Sequence, residues 1–489
     1  MAVLRRARVV WSCLGVGDTA DVLAPTSTKM ICAVLAATLL GCSAKPASAP
    51  VVQSASIPNA GLRQVPLGLC EDYPEETRSL EEVRRDFGVL KAAGVNVLRV
   101  SIGWDGVEPE KDHYDFAFWD AFVDAAVASG IRLIPYVAYT PRWDSDGTPE
   151  AYWKTPPRDL AEFTEIMGLL AARYRARVGS WEIWNEPDNR DYWLGSAAEY
   201  ASLLAAGSAA VRRANPRAEV VSGGLAGGVE FLREVFDEHG GAELVDVVNL
   251  HAYYETWNPN PLEALPQYLD DVSAIVKRHG GRQAIWLAEV GYSNWRAPAA
   301  PPSAPYEHTL DYQAVMLVRT LALAYAHPAV SLVAWYELKD PRGSAPMIGN
   351  DHNRHLGVTF ADYAPKPAFA ALAFTQSLFS RGFSDVDAQV RVSRQPSSAV
   401  ELRAFVTARQ SLVLVAWLKT AAPPGAEPRH EVVRVAAPYT RRGAARVYDA
   451  QGRPVEAHLG EYARSSVDLS FELGDGEVRV IEESIVMPR

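Results

Sequence analysis

Residues 80–102 read LEEVRRDFGVLKAAGVNVLRVSI. Leu80, Val83, Phe87 and Leu90 recur at helical spacing, Gly94 stands where a left-handed C-cap belongs, and Val95 to Ile102 is an apolar run of strand length. The same unit returns downstream. Phe118, Phe122 and Ala126 lead to Gly130 and IRLIPYVAY, and Leu160, Phe163, Met167 and Leu170 lead to Gly179 and SWEIW. Further apolar runs occur at AEVVSGG, VDVVNLHAY, QAIWLAEVG and SLVAWYELK; with LRQVPLGL near Leu67 they make eight. Strands alternating with helices require a parallel sheet, because each crossover returns the chain to the same edge. The expected fold is therefore α/β, a (β/α)8 TIM barrel over residues 62–380. A doubly wound sheet is the alternative, but no G-x-G-x-x-G follows the first strand.

After about residue 383 the period changes to two. Val400, Leu402, Ala404 and Val406 alternate with other residues, as do Val467, Leu469, Phe471 and Leu473, which run into Gly474-Asp475-Gly476 and then Val478 and Val480. This pattern predicts an antiparallel hairpin within a small C-terminal antiparallel β-sandwich over 383–489, packed on the barrel as a stabilising module.

A chain of 489 residues exceeds what one core normally serves, which agrees with two folded parts. The net charge of −11, with no basic block, gives no electrostatic reason to bind nucleic acid or an anionic membrane. The 13 Trp and 20 Tyr suit neutral sugar faces, although most large rings fill cores. Three of the four cysteines (Cys13, Cys32, Cys42) precede residue 43, so Cys70 alone belongs to the folded body and no disulfide framework supports it.

The run MICAVLAATLL, Met30 to Leu40, is too short to span a bilayer and reads as the apolar segment of an export signal. It continues into Leu39-Leu40-Gly41-Cys42, which resembles a bacterial lipoprotein box, and residues 43–61 read as a flexible tether. Residues 1–42 are thus expected to be a leader, with Cys42 the lipidated residue and attachment to a membrane by that anchor only; cleavage by an ordinary signal peptidase into a secreted or periplasmic form is the alternative.

In such a barrel the active site lies at the carboxyl ends of the strands. The fourth run ends in Trp184-Asn185-Glu186-Pro187 and the seventh in Ala288-Glu289-Val290-Gly291, so two carboxylates are expected in one mouth. A lone glutamate at a strand end is usually a solvated or paired group. A pair is what glycosidic bond cleavage requires, one protonated to assist the leaving oxygen and one ionised to attack.

These segments resemble the acid/base and nucleophile motifs of clan A glycoside hydrolases. Trp104 through Pro109, the HYDF segment at His113 to Phe116 and the trailing β-sandwich are most similar to glycoside hydrolase family 39, with families 5, 42 and 51 left open. Ala288 departs from the threonine that many members carry there. The resemblance implies retention, with Glu186 as acid/base, Glu289 as nucleophile and the two carboxyl groups roughly 5 to 5.5 Å apart. It further implies that Arg99 keeps Glu289 ionised, Tyr253 orients it, Asn185 holds a sugar 2-hydroxyl and His251 bonds Tyr253 or the sugar. Trp335 is expected as the platform at the end of strand eight, with Trp104 and Tyr139 as pocket walls. Glu186 is expected to titrate high, through its neighbour's charge and partial burial.

No cofactor and no metal are expected. His352 and His355 near Asp351 lack a third ligand at useful spacing, and no G-x-S-x-G elbow occurs. The partner is an oligosaccharide or polysaccharide; oligomeric state is open. A transglycosidase with the same intermediate is the rival enzyme, and an inactive glycan-binding surface lipoprotein the rival outside catalysis.

Overall fold

The computed structural model describes residues 61–486 apart from 75–78, 297, 299–301, 303, 344–347, 349, 393–398, 420–426, 428 and 457–466. The expected leader, Cys42 and nearly all of the expected tether lie outside the described residues. The segment 80–102 folds as read. Helix α1 (Leu80–Ala93) starts where Ser79 accepts from the Glu82 N–H, buries Val83, Phe87 and Leu90, and ends at Gly94, whose φ of 73° is left-handed. Strand β2 (Val97–Gly103) follows and is buried throughout. The second unit closes in the same way, with α3 (Ala117–Ser129) ending at Gly130, φ 70°. The third does not: α4 (Leu160–Arg173) is capped at Tyr174, and Gly179 instead leads directly into the next strand.

The remaining barrel strands are β1 (Leu67–Glu71), β3 (Arg132–Ala138), β4 (Ser180–Asn185), β5 (Glu219–Gly224), β6 (Val247–Ala252), β7 (Ala284–Val290) and β8 (Val330–Trp335). All neighbours pair in parallel, and β1 pairs with both β2 and β8, so the sheet closes into an eight-stranded TIM barrel. The helices are completed by α2 (Trp104–Val107), α5 (Ala197–Ala214), α6 (Val229–Asp237), α7 (Leu265–Arg278), α8 (Leu310–Ala326) and α9 (Pro367–Phe379). Among the described residues, no helix is long and apolar enough to cross a membrane.

Alternation along the strands sorts the side chains. Cys70, Val97, Ile134, Val221, Val247, Trp286, Ala288, Leu332 and Ala334 fill the barrel interior. Their strand neighbours pack outward on the helices in the main core.

The C-terminal part holds a three-stranded sheet, β10-β13-β16, and a six-stranded one in which β14, β17, β12, β11 and β9 are neighbours and β15 pairs with β17. Their ranges are β9 (Phe383–Asp385), β10 (Arg391–Val392), β11 (Val400–Thr407), β12 (Ser411–Leu418), β13 (His430–Ala437), β14 (Thr440–Arg441), β15 (Arg446–Tyr448), β16 (Val467–Gly474) and β17 (Val478–Val486). The expected hairpin is not formed: β16 pairs with β13 while β17 pairs with β12. The Gly474-Asp475-Gly476 turn carries the chain from one sheet to the other. Period two records that each strand has one face on the sandwich core, and this holds for a corner as well as for a hairpin. Strand β12 is buried on both faces, with Leu412, Leu414, Ala416 and Leu418 in the sandwich core and Val413, Val415 and Trp417 in the core shared with the barrel.

Candidate active site

Above the apolar layer of the barrel lies a polar one, built around Arg99. This residue lies inside β2, two residues into the strand, and reaches the mouth from within the barrel. It is 2% exposed. Its Nε and Nη2 donate to the two oxygens of Glu182 at 2.8 Å each, Nη2 also donates to Asn185 Oδ1 at 2.8 Å, and Nη1 donates to Glu289 Oε2 at 2.6 Å. The Tyr136 ring lies 4.4 Å from the guanidinium. A cation taken out of water is tolerable only with such saturation, and the planar fork suits a bidentate carboxylate.

Simple alternation carries Glu186 inward with Glu182 but would leave Asn185 and Glu289 outward, and local irregularities bring those two in. Trp184 and Glu186 take left-handed φ values of 72° and 44°. Asn185, beside the outward-packed Ile183 in sequence parity, is thereby brought to Arg99. On β7 the register with both neighbours slips around Ala288, a bulge that turns Glu289 into the mouth. The Ala288 backbone is satisfied by side chains: its N–H donates to Asn249 Oδ1 at 3.0 Å, and its carbonyl accepts from Cys70 Sγ at 3.1 Å. Asn249 Nδ2 in turn donates to Glu182 at 3.0 Å.

Glu289 also accepts from the Tyr253 hydroxyl at 2.6 Å. Glu186 accepts from Asn189 Nδ2 at 2.7 Å. His251 Nδ1 lies between the two acids, 2.9 Å from Glu186 Oε1 and 3.5 Å from Glu289 Oε1, and one carboxylate oxygen of each acid and that nitrogen all lie within 4.8 Å of one another. His251 therefore bonds Glu186 and not Tyr253, the protein partner of the two that were expected, Tyr253 or the sugar. Its Nε2 is buried, has no partner among the described residues and faces Gly224, where a Cβ would come within 1.9 Å of it. An unpaired acceptor is the cheaper orphan when the other nitrogen faces carboxylates, so the Nδ1–H tautomer is assigned to the neutral ring.

Burial raises the Glu186 carboxyl to about 7, against the opposing pull of Asn189 and Arg99. The expected contribution of Glu289 is not among the causes; the acid that adds to the burial is Asp191. Burial also raises Glu289, with His251, Arg99 and the Tyr253 hydroxyl opposing it. Only Glu289 touches a guanidinium, so the resting pair keeps its proton on Glu186 and its charge on Glu289. Burial lowers His251, which keeps it neutral.

Arg99, Asn185, Glu186, His251, Tyr253 and Glu289 thus converge. Tyr139 stands at the rim, half-buried, its hydroxyl 3.5 Å from that of Tyr136. Two expected aromatic residues lie elsewhere. Trp104 is fully buried, donates to Glu108 at 2.7 Å and packs on Trp143 and Phe163. Trp335 is 1% exposed and belongs to the core between strands and helices, because Leu332 and Ala334 already take the inward positions of β8. The next inward residue is Tyr336, partly exposed, with its ring 6.4 Å from that of Tyr253. Sequence reasoning missed Tyr336, and also Glu182, Asn249 and Asp72. A count of two residues from Ala334 signals the first; the others carry no motif.

The model of the family described as "Glycosyl hydrolases family 39" matches residues 61–420. Among solved structures, the chain is similar to a family 39 glycoside hydrolase from Bacteroides cellulosilyticus WH2 (TM-score 0.65, 20% identity, covering 86% of this chain and 81% of that one). It is also similar to a monomeric beta-xylosidase from Caulobacter crescentus CB15 (TM-score 0.59, 17% identity, 87% and 97% covered). At these identities the likeness is one of fold. A curated relative, beta-galactosidase BbgII of Bifidobacterium bifidum, is 38% identical over 87 residues, which is 17% of this chain and 12% of that protein's length.

Proposed function

The chain belongs to glycosyl hydrolase family 39, and on that premise we propose that it cleaves O-glycosyl bonds of a neutral oligosaccharide or polysaccharide with retention, Glu289 attacking and Glu186 serving as acid and then base. The observation that carries the reading is the placement of two buried carboxylates with oxygens within 4.8 Å, of which only one touches a cation. Retaining pairs stand at about 5 to 5.5 Å and inverting pairs, which admit a water between them, at roughly 6.5 to 9.5 Å.

In the first step a Glu289 oxygen bonds to the anomeric carbon as the glycosidic oxygen takes the Glu186 proton and leaves. Glu289 becomes a neutral ester and Glu186 an anion, so the pair carries one negative charge before and after. In the second step Glu186 takes a proton from water, and that oxygen displaces Glu289. His251 Nδ1–H donates to Glu186 while it is charged, and Asn185, its carbonyl fixed by Arg99, turns its amide N–H groups to the sugar. Tyr336 takes the role the sequence had assigned to Trp335.

The beta-galactosidase and beta-xylosidase relatives make β-linked neutral glycosides the first substrates to try. The wild type is expected to release reducing sugar from at least one member of a panel of β-linked polysaccharides and aryl glycosides, and Glu289→Ala to release at least a thousandfold less. Equal release by both proteins would remove Glu289 from the mechanism. The MICAVLAATLL run and Leu39-Leu40-Gly41-Cys42 support export and attachment through Cys42 as part of this proposal; an unlipidated mature N-terminus beyond Cys42 in mass spectrometry would exclude the anchor.

A further inference from the structure

A third acid stands in the mouth. Asp72 follows β1 directly, on the same side of the chain as Cys70 and about 6.6 Å farther toward the mouth at two residues' rise. Its Oδ2 accepts from the Tyr336 hydroxyl at 2.9 Å and its Oδ1 from the Tyr136 hydroxyl at 3.3 Å. Those phenols locate it against the nucleophile from both sides. Tyr336 packs on Tyr253, which donates to Glu289, and Tyr136 lies on Arg99, which also donates to Glu289. Asp72 is thereby tied to Glu289 by two routes, Tyr336 with Tyr253 and Tyr136 with Arg99.

No ion pair among the described residues closes on this charge; Arg99 and Lys339 act on it only at a distance. Among the described residues no lysine, arginine or histidine is in contact with Asp72, and Arg99 spends four of its five N–H groups on Glu182, Asn185 and Glu289. An ionised carboxylate offers about four lone-pair positions, and the phenols take two. Asp72 is partly exposed, and each of its oxygens, having taken one phenol, keeps a position for a further donor. An acceptor-only group with one position left on each of its two oxygens matches two hydroxyls on neighbouring sugar carbons. The same charge, beside Glu289, repels a sugar that bears its own carboxylate. Burial raises the Asp72 carboxyl while both phenols and Arg99 pull it back toward the ionised form.

We propose that Asp72 is a specificity-determining residue, whose carboxylate receives two vicinal hydroxyls of the sugar unit being transferred and whose charge excludes uronic acids from that position. The inference rests on the glycosidase reading above.

The test uses the full chain with the aryl glycoside it turns over and the monodeoxy derivatives of that glycone, for wild type, Asp72→Asn and Asp72→Ala. A hydrogen bond to a charged group is worth roughly ten- to hundredfold in binding. Two of the monodeoxy glycosides are expected to lose that much kcat/KM in the wild type. In the variants the same two should lose less than threefold relative to the parent glycoside, while the others lose what they lose in the wild type. The aryl uronide should gain at least tenfold relative to the neutral glycoside in Asp72→Asn. Losses that multiply uniformly across the series would reduce Asp72 to a support for Tyr136 and Tyr336 and overturn the proposal. Asp72→Asn keeps an acceptor for one phenol, so the series remains decisive if Asp72→Ala fails to fold. A wild type inactive on every glycoside would instead overturn the glycosidase reading, and this inference with it.

Discussion

Glu186 shows how one side chain's surroundings set both activity and stability. Its carboxyl ionises at about 7 in the folded protein against 4.5 when free, because burial disfavours the charge. The acid role needs the proton, so kcat/KM should fall as pH rises through about 7, and a pH–rate profile checks this. The linkage has the opposite sign from that of a salt-bridged acid. Below 4.5 the group is neutral in both states and contributes nothing; between 4.5 and about 7 only the unfolded chain releases the proton, and stability declines as pH rises. Above 7 the full penalty is about 3 kcal/mol, from a shift of some two to three units. Glu186→Gln should therefore melt higher than the wild type at pH 8 and alike at pH 4, while losing the acid step. Equal melting at both pH values would show that burial is not what raises the group. Glu186 and Glu289 were legible because each ends an apolar run beside Trp or Ala-Glu-Val-Gly. Glu182 was not, since it lies in the middle of SWEIW and reads as one polar residue inside a strand, yet it takes two N–H bonds from Arg99.

Among the elements, the strands were readable and their faults were not. Eight apolar runs separated by helical spacing suffice for a closed parallel barrel, because each run needs only its length and its bounding glycine or helix. The bulge at Ala288 and the left-handed residues at Trp184 and Glu186 have no such signature. The bulge depends on Asn249 and Cys70, distant side chains that take up the Ala288 backbone groups. On β8, by contrast, Trp335 is what the resemblance implies, whereas plain alternation from Leu332 and Ala334 leads to Tyr336. Strand β5 supplies a sharper case at Gly224, whose N–H donates to Glu182 at 2.9 Å and whose missing Cβ leaves room for the His251 ring. Gly224→Ala should displace His251 from Glu186, lowering kcat at least a hundredfold and stability by about 1 to 3 kcal/mol, the range for overpacking. Steady-state kinetics with a thermal melt checks both, and wild-type kcat would show that the ring position does not matter.

For the whole molecule, the second part is joined to the first by a buried polar link as well as by apolar contact. Trp417 of β12 donates to Glu263 at 2.6 Å, and Arg319 of α8 donates to the same oxygen at 2.6 Å and to Tyr312 at 2.7 Å. Burial pushes the Glu263 carboxyl up, but Arg319 and the Trp417 N–H more than offset it and hold it low. Glu263→Gln strips a buried cation of its nearest counter-charge and should cost about 3 kcal/mol or more. Because Val413, Val415 and Trp417 share one core with the barrel helices, the expected calorimetric result is a single transition that moves down as a unit. Two separate transitions would show that barrel and sandwich fold independently.

The arginine at the centre of the barrel has a further consequence. With its donors committed to Glu182, Asn185 and Glu289 before any sugar arrives, and Glu182 held in turn by Asn249 and the Gly224 N–H, the field that favours charge at Glu289 is already oriented. Little reorganisation remains to be done when the bond breaks. A mouth of this kind acts as a fixed solvent for its reaction, one whose dipoles were aligned during folding.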